Sequence, residues 1–290
     1  MKMHLDVDRP EEVPIRDAAT VMLVRDGVDG VEVFMLRRNL NSDFVGGAYV
    51  FPGGGVDAGD GAAEVGDVCV GRADEDASAL LGIESGGLAY WVAAIRESFE
   101  EAGLLLAVDD NDQMVRFDDP TVNERFVEHR RAVDAGEVSL VDIARSEGLR
   151  LATDRIHYFS RWVTPLGAPR RYDTRFFLAA APQNQTPLHD DRETIANEWL
   201  RPADALARVE SGELTMMPPT VASLRAIARF DTAAAALDAA REITHVPEVL
   251  PRIIADGGLV ERELLANEAR SLGLTASEDR TYDRLFDRTQ

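Results

Sequence analysis

From Tyr90 to Gly103 the chain reads Tyr-Trp-Val-Ala-Ala-Ile-Arg-Glu-Ser-Phe-Glu-Glu-Ala-Gly, and this stretch constrains the fold more than any other. At about 100° per residue, its side chains divide into two faces. Trp91, Val92, Ile95, Phe99 and Ala102 gather on one side, while Glu97, Glu100 and Glu101 fall opposite. The pattern predicts an amphipathic helix packed on a sheet through Trp91, Ile95 and Phe99, and ended by Gly103, where a left-handed cap suits glycine. Carboxylates at i, i+3 and i+4 repel by a few tenths of a kcal/mol per pair. A solvated acidic face is the ordinary reading. A divalent cation is the other, because Mg²⁺ prefers carboxylate oxygen. Arg96, four residues before Glu100, is spaced to hold that carboxylate.

Upstream lies a glycine-dense loop, Phe51-Pro52-Gly53-Gly54-Gly55-Val56-Asp57-Ala58-Gly59-Asp60. Glycine lets a backbone approach a ligand or ion closely. Taken together, loop and helix resemble the box of the Nudix hydrolases, which is Gly, five residues, Glu, seven residues, then Arg-Glu-U-x-Glu-Glu-x-Gly-U with U bulky and apolar. Gly54, five residues and Asp60 match the first half, with Asp in place of Glu. Arg96-Glu97-Ser98-Phe99-Glu100-Glu101-Ala102-Gly103-Leu104 match the second, with Ser98 at an apolar position. The halves are separated by residues 61 to 95, 35 residues instead of seven. An interrupted box of this kind resembles one Nudix subgroup, which includes coenzyme A diphosphatases.

The resemblance implies an α/β fold: an α/β/α sandwich with a mixed sheet, a helical insertion inside the box and a helical C-terminal extension. Residues 1–16 read as an arm, 17–245 as the Nudix domain with its insertion at 61–87, and 246–290 as a peripheral extension. It also implies Mg²⁺ or Mn²⁺ held by Glu97, Glu100 and Glu101, with a backbone carbonyl near Gly53 or Gly54. In many relatives a later glutamate returns to the metal site as ligand or base. By the pattern Glu-x5-Trp that residue is Glu193, with Glu198 the second choice.

Of the 290 residues, 52 are Asp or Glu and 31 are Lys or Arg, a formal charge of −21. This balance argues against nucleic acid or an anionic membrane surface as partner, since both need a basic footprint. It also makes local arginines conspicuous. Arg37 and Arg38 end an apolar run just before the glycine loop, and Arg170, Arg171 and Arg175 lie within six residues. Paired guanidinium donors suit phosphate oxygens, so both groups are candidates for substrate phosphates, as are Phe51, Gly53 and Gly54 beside them. Exposed edge residues are the plainer reading of the arginines. One cysteine, Cys69, fits a reducing compartment and a half-buried packing role. No apolar run approaches the 18 or so residues of a membrane span, and the expected location is cytoplasmic.

Local patterns add a hairpin from two apolar runs joined at Asp26-Gly27 and Asp29-Gly30. They add a short helix at Asp76–Leu81, helices at 124–135, 140–147 and 202–210, one begun by Pro218, one at 232–241, and strands at 155–165, 176–181 and 194–200. His129 reads as a surface residue and His157 as a packed one. The insertion is open to use as a lid, as a homodimer contact or as an elaborated loop. By resemblance the chain hydrolyses a phosphoanhydride bond in a nucleoside diphosphate linked to another moiety, with coenzyme A or an acyl-coenzyme A leading. A nucleotide-sugar, ADP-ribose or dinucleotide pyrophosphatase is the alternative within the class. A non-catalytic nucleotide-sensing module is the alternative outside it.

Overall fold

A computed structural model describes residues 9–40, 46–62, 64–187, 194–253 and 259–260. The chain opens with the expected hairpin: β1 (Ile15–Gly27) and β2 (Gly30–Arg38) pair antiparallel, Gly27 opposite Gly30. Gly30 has a φ of 123°, which suits glycine and few other residues. β3 (Tyr49–Val50) then adds to β2, and β4 (Gly53–Gly55) folds back onto Ala18–Thr20 of β1. The next elements are α1 (Asp74–Leu81), α2 (Leu88–Ala102), β5 (Ala107–Val108), α3 (Pro120–Asp134) and α4 (Leu140–Ser146). After β6 (Arg150–Leu151) come the long strands β7 (Ile156–Val163), β8 (Arg171–Ala180) and β9 (Thr194–Leu200). The helices α5 (Pro202–Glu210), α6 (Pro218–Ile227) and α7 (Ala233–Arg241) lead to β10 (Glu248–Val249).

Among the described residues the main sheet has eight strands in the order β10-β7-β8-β1-β2-β3, with β4 also on β1 and β9 on β2. β1 and β8 run parallel, while β7 and β8 run antiparallel, so the sheet is mixed. Strand alternation gives it two apolar faces. Val21, Leu23, Phe34 and Phe177 face α2, α3 and α4. Met22, Val33, Met35 and Leu178 face α5, α6 and α7. This is the α/β/α sandwich that the box implied. Trp91, Ile95 and Phe99 pin α2 to the first face at no more than 1% exposure. Trp91 lies 4.7 Å from the Phe177 ring and donates its indole N–H to the Ile156 carbonyl at 3.0 Å. Loss of such a side chain costs about 3–5 kcal/mol.

The insertion between the halves of the box is bound into the body of the fold. Val65, Val68, Ala77 and Leu81 share the core of α2. Asp74 accepts the backbone N–H groups of Gly86 and Leu88, both at 2.9 Å, and so ties the start of α1 to the start of α2. α3 begins four residues before the predicted Glu124, because Asp119 caps it by accepting from Thr121 and Val122 and Pro120 fits the first turn. The described part of 246–290 is extended: β10 pairs with β7, and Arg252–Ile253 with Leu259–Val260. The remainder of the extension expected to be helical lies outside the described residues. Among those residues no helix is long and apolar enough to cross a membrane.

Candidate functional site

α2 ends in a left-handed Gly103 at φ 69°, and the Gly103 and Leu104 amides return to the Phe99 and Ser98 carbonyls. Ser98, at a position where the box has a bulky group, is fully buried and donates its hydroxyl to the Leu104 carbonyl at 2.7 Å. Its polarity therefore serves the same cap. Arg130 of α3 donates to the Glu100 and Glu101 carbonyls at 2.8 and 3.1 Å, placing positive charge where the helix dipole favours it. The last turn of α2 is thus held from three directions.

That turn carries the acidic wall. Contrary to a solvated face, Glu97 and Glu101 are 8% and 9% exposed, because β4 lies against them. Arg96 is at the centre. Its Nη1 donates to Glu97 Oε1 and Glu100 Oε2, both at 2.8 Å. Its Nε and Nη2 grip the two oxygens of Asp60 at 3.0 Å each, and Nη2 also reaches the Gly55 carbonyl at 2.7 Å. Glu101 Oε2 accepts the Gly53 N–H at 2.9 Å. A Cβ on Gly54 would stand 2.5 Å from Glu97 Oε1, so a bare backbone is a condition for the wall.

One guanidinium serves three carboxylates, two of them buried and Glu100 half-buried, with Asp57 3.6 Å from it. Burial pushes Glu97 up to about 7, against Arg96 and with the repulsion of Glu100 and Asp60. Burial likewise raises Glu100, again opposed by Arg96 and reinforced by Asp134 and Asp60. Arg96 is raised as well: burial disfavours its charge, but the hydrogen bond to Asp60 and the surrounding carboxylates outweigh that and hold it firmly protonated. Among the described residues, no three His, Cys, Asp or Glu side chains already converge in a metal-holding arrangement. The donor chemistry nevertheless fits a hard divalent cation: all oxygen, in negative surplus, beside a glycine backbone.

The wall forms part of the lining of a cleft of about 660 Å³. Of the sequence candidates, Arg38, Phe51, Gly53, Gly54, Arg96, Glu97, Glu100, Glu101 and Arg170 line it. Arg37, Arg171 and Arg175 are not among the lining residues. The reason is strand alternation. A register shift at Arg37/Arg38 accompanies the divergence of that pair, and in β8 residues 172, 174 and 176 face the cleft while 171, 173 and 175 turn toward α2. Arg171 donates to the Thr164 carbonyl at 3.1 Å. Arg175, 2% exposed, pairs with Asp173 and lies over the Tyr90 ring at 5.0 Å. Glu198 binds Arg208 of α5 at 2.9 Å, on the far side from the wall. Glu193 lies outside the described residues.

Sequence reasoning missed the aromatic part of the lining, Trp162, Tyr172 and Phe176. The alternation Arg170-x-Tyr172-x-Thr174-x-Phe176 was a usable signal for it. Asp134, which brings a further carboxylate to the rim from the end of α3, has no local sequence signal. His129, expected at the surface, is partly buried against Glu147, 2.9 Å from its Oε1.

A family model described as the NUDT19 Nudix domain matches residues 75–227. That span includes α2 and β8 but not the glycine strand. Curated relatives include the acyl-coenzyme A diphosphatase NUDT19 of Xenopus laevis, 26% identical over 69% of this chain and 60% of that protein. The protein of the same name from Gallus gallus is 28% identical, over 75% of this chain and 69% of the relative. The chain therefore spans less than two thirds of the Xenopus protein. Among solved structures, a Nudix hydrolase from Alicyclobacillus acidocaldarius superposes with a TM-score of 0.64 at 31% identity, covering 78% of this chain and 97% of that one.

Proposed function

The chain belongs to the Nudix hydrolases, in the family described as the NUDT19 Nudix domain, and on that premise we propose that it hydrolyses the phosphoanhydride bond of coenzyme A or an acyl-coenzyme A. The observation that carries the reading is the meeting, in one cleft, of the acidic turn of α2, the glycine strand and the cationic Arg38 and Arg170. A single cation-poor acidic wall would repel a diphosphate. A wall that takes up Mg²⁺ or Mn²⁺ and is flanked by arginines would hold it.

In this reading Glu97, Glu100 and Glu101 hold the cation, with the Gly53 carbonyl beside them. The bound ion supplies neutralisation of the diphosphate charge and a more acidic water. Arg96 does not touch substrate; it fixes Glu97 and Glu100 and is itself fixed by Asp60. Phe51 closes the wall beside the glycines. Arg38 and Arg170 meet phosphate oxygens, and Arg170 is the residue placed for the 3′-phosphate that distinguishes coenzyme A from other nucleotide conjugates. A carboxylate takes the proton from the attacking water. The sequence pattern assigns this to Glu193, and a glutamate of the wall is the other choice.

The test is a substrate panel of coenzyme A, its 3′-dephospho form, ADP-ribose, NADH and UDP-glucose, with and without Mg²⁺ or Mn²⁺. The expected result is metal-dependent release of 3′,5′-ADP and phosphopantetheine from coenzyme A, faster than cleavage of the dephospho form. Preferred cleavage of another member would retain the reaction and overturn the substrate. Nucleotide binding with no turnover would point to a sensing module.

A further inference from the structure

The cleft lining has two chemically unlike parts, one acidic and one aromatic, and only the first enters the reaction proposed above. We propose that Tyr172, Trp162 and Phe176 form the surface on which the purine ring of the substrate lies, with Arg170 placed for a phosphate on the adjoining ribose. This inference rests on the reading of the substrate given above and assigns its nucleotide half to the aromatic part of the cleft.

The three rings are brought together by sheet register. Trp162 of β7 is paired with Thr174 of β8, and Ser160 with Phe176; the Thr164 amide donates to the Tyr172 carbonyl at 2.8 Å. Tyr172 and Phe176 are therefore the two diagonal neighbours of Trp162 on one face, within reach for aromatic side chains. All three line the cleft. Trp162 and Phe176 are set firmly, at 4% and 7% exposure, whereas Tyr172 and Thr174 are half-buried and turn toward the open space. Pro218 and Pro219, at the start of α6, line the same cleft with compact, rigid apolar rings.

Chemistry separates a purine from the other arm of such a substrate. A saturated chain gains from any apolar wall and has no use for planarity. Here the rings are interspersed with the hydroxyls of Thr164 and Thr174, and the row ends in a guanidinium. Base–aromatic stacking depends on planar faces and contributes about 1–3 kcal/mol per base. Arg170 lies two residues before Tyr172, in the bend that leads into β8, and both line the cleft. That offset places a cation one sugar away from a stacked base. Phe176 pairs with Thr20, and Thr20 with Gly53, so the rings lie two strands from the acidic wall, which would receive the diphosphate.

Binding of the two product fragments to the full-length protein without metal tests this. Adenosine 3′,5′-bisphosphate and 4′-phosphopantetheine would be titrated by calorimetry against wild type, Tyr172→Ala, Tyr172→Phe and Trp162→Leu. The expected result is a loss of about 5- to 100-fold in bisphosphate affinity for Tyr172→Ala and Trp162→Leu, recovery with Tyr172→Phe, and unchanged phosphopantetheine affinity. Tyr172→Ala, at a half-buried site, keeps the test informative should Trp162→Leu fold poorly. Weakened phosphopantetheine binding with bisphosphate binding intact would overturn the assignment in favour of the other arm. Unchanged binding of both fragments, in a protein that cleaves coenzyme A, would overturn the shelf and leave the reaction standing. A wild type that binds neither fragment and cleaves no member of the panel would remove both.

Discussion

Arg96 and Arg175 are both buried arginines that pair with carboxylates, the first on α2 and the second on β8, yet their surroundings differ in sign. Arg96 meets Asp60, Glu97 and Glu100, with Asp57 beyond, and these carboxylates outnumber it at the edge of a cleft. Among the described residues Arg175 pairs with Asp173, which Arg161 shares, and it lies over the face of Tyr90. Burial opposes the charge of Asp173, but hydrogen bonds from Arg161 and Arg175 outweigh it and hold the carboxyl below its ordinary range. Burial wins at Glu97, which is pushed up to about 7. The first cluster is left short of positive charge; in the second, Arg161 and Arg175 are matched by Asp173 and Glu248, although among the described residues the Arg175 Nε finds no hydrogen-bond partner. A buried charge that is balanced joins strands; one that is outnumbered and opens on a cleft is placed to receive an ion.

The largest effect separates these two clusters by activity. Glu101→Gln is expected to lower kcat at least 100-fold, about 2.7 kcal/mol of barrier, because an amide cannot hold a cation as a carboxylate does. Its oxygen can still accept the Gly53 N–H, so thermal unfolding should be unchanged. Retention of more than about a tenth of wild-type turnover would exclude Glu101 from the chemistry. Arg175→Leu should do the reverse. Removing one partner of a buried pair costs about 3 kcal/mol, read from urea unfolding, while turnover per folded molecule stays within about twofold. Lost turnover at unchanged stability would place Arg175 with the cleft after all.

A smaller change tests the geometry of the outnumbered cluster alone. Gly54 does not have a positive φ, so alanine meets no backbone penalty there, but its Cβ would stand 2.5 Å from Glu97 Oε1. Gly54→Ala should therefore weaken Mn²⁺ affinity and turnover by about tenfold, or about 1.4 kcal/mol, with little change in unfolding. Wild-type Mn²⁺ binding in this variant would mean that Glu97 has room to move and that the glycine serves the turn instead.

The same contrast explains what was legible in the sequence. Helical periodicity exposed α2, and the spacing of Glu97, Glu100 and Glu101 marked its last turn, because residues three and four apart share a face of the helix whatever surrounds it. The hairpin, α5 and α7 were legible for similar local reasons. Strand residues were harder. Arg170, Arg171 and Arg175 looked like one basic spot because they are close in sequence, while the pleat sends neighbours to opposite faces. Asp60 matched a box position, but its grip on Arg96 spans 36 residues and depends on how the insertion folds. Asp134 reaches the cleft through the docking of α3, and Trp162 joins Tyr172 through pairing of β7 with β8; neither leaves a local trace.

The smallest expected effect concerns a charge that the balanced side of the molecule refuses. His157, 8% exposed on β7, is held down to about 4 from its ordinary 6.5, first by burial and then by the charges of Arg241 and Arg72, against the pull of Asp154 and Asp238. Between pH 6.5 and 4 the unfolded chain therefore binds a proton at this position that the folded chain does not. Stability must fall as pH drops through that window, and rise again as pH is restored. His157→Gln removes the proton site while keeping a neutral side chain of similar reach. It should leave stability at pH 7 nearly unchanged and reduce the acid-induced loss by about 1 kcal/mol at pH 5, allowing for partial contact with solvent. Carboxylates elsewhere contribute equally to both proteins, so the difference between the two pH profiles isolates the histidine. Parallel profiles would mean that the folded protein accepts a proton at His157 as readily as water does, and that this part of the sheet is less closed to charge than Arg175 and Asp173 imply.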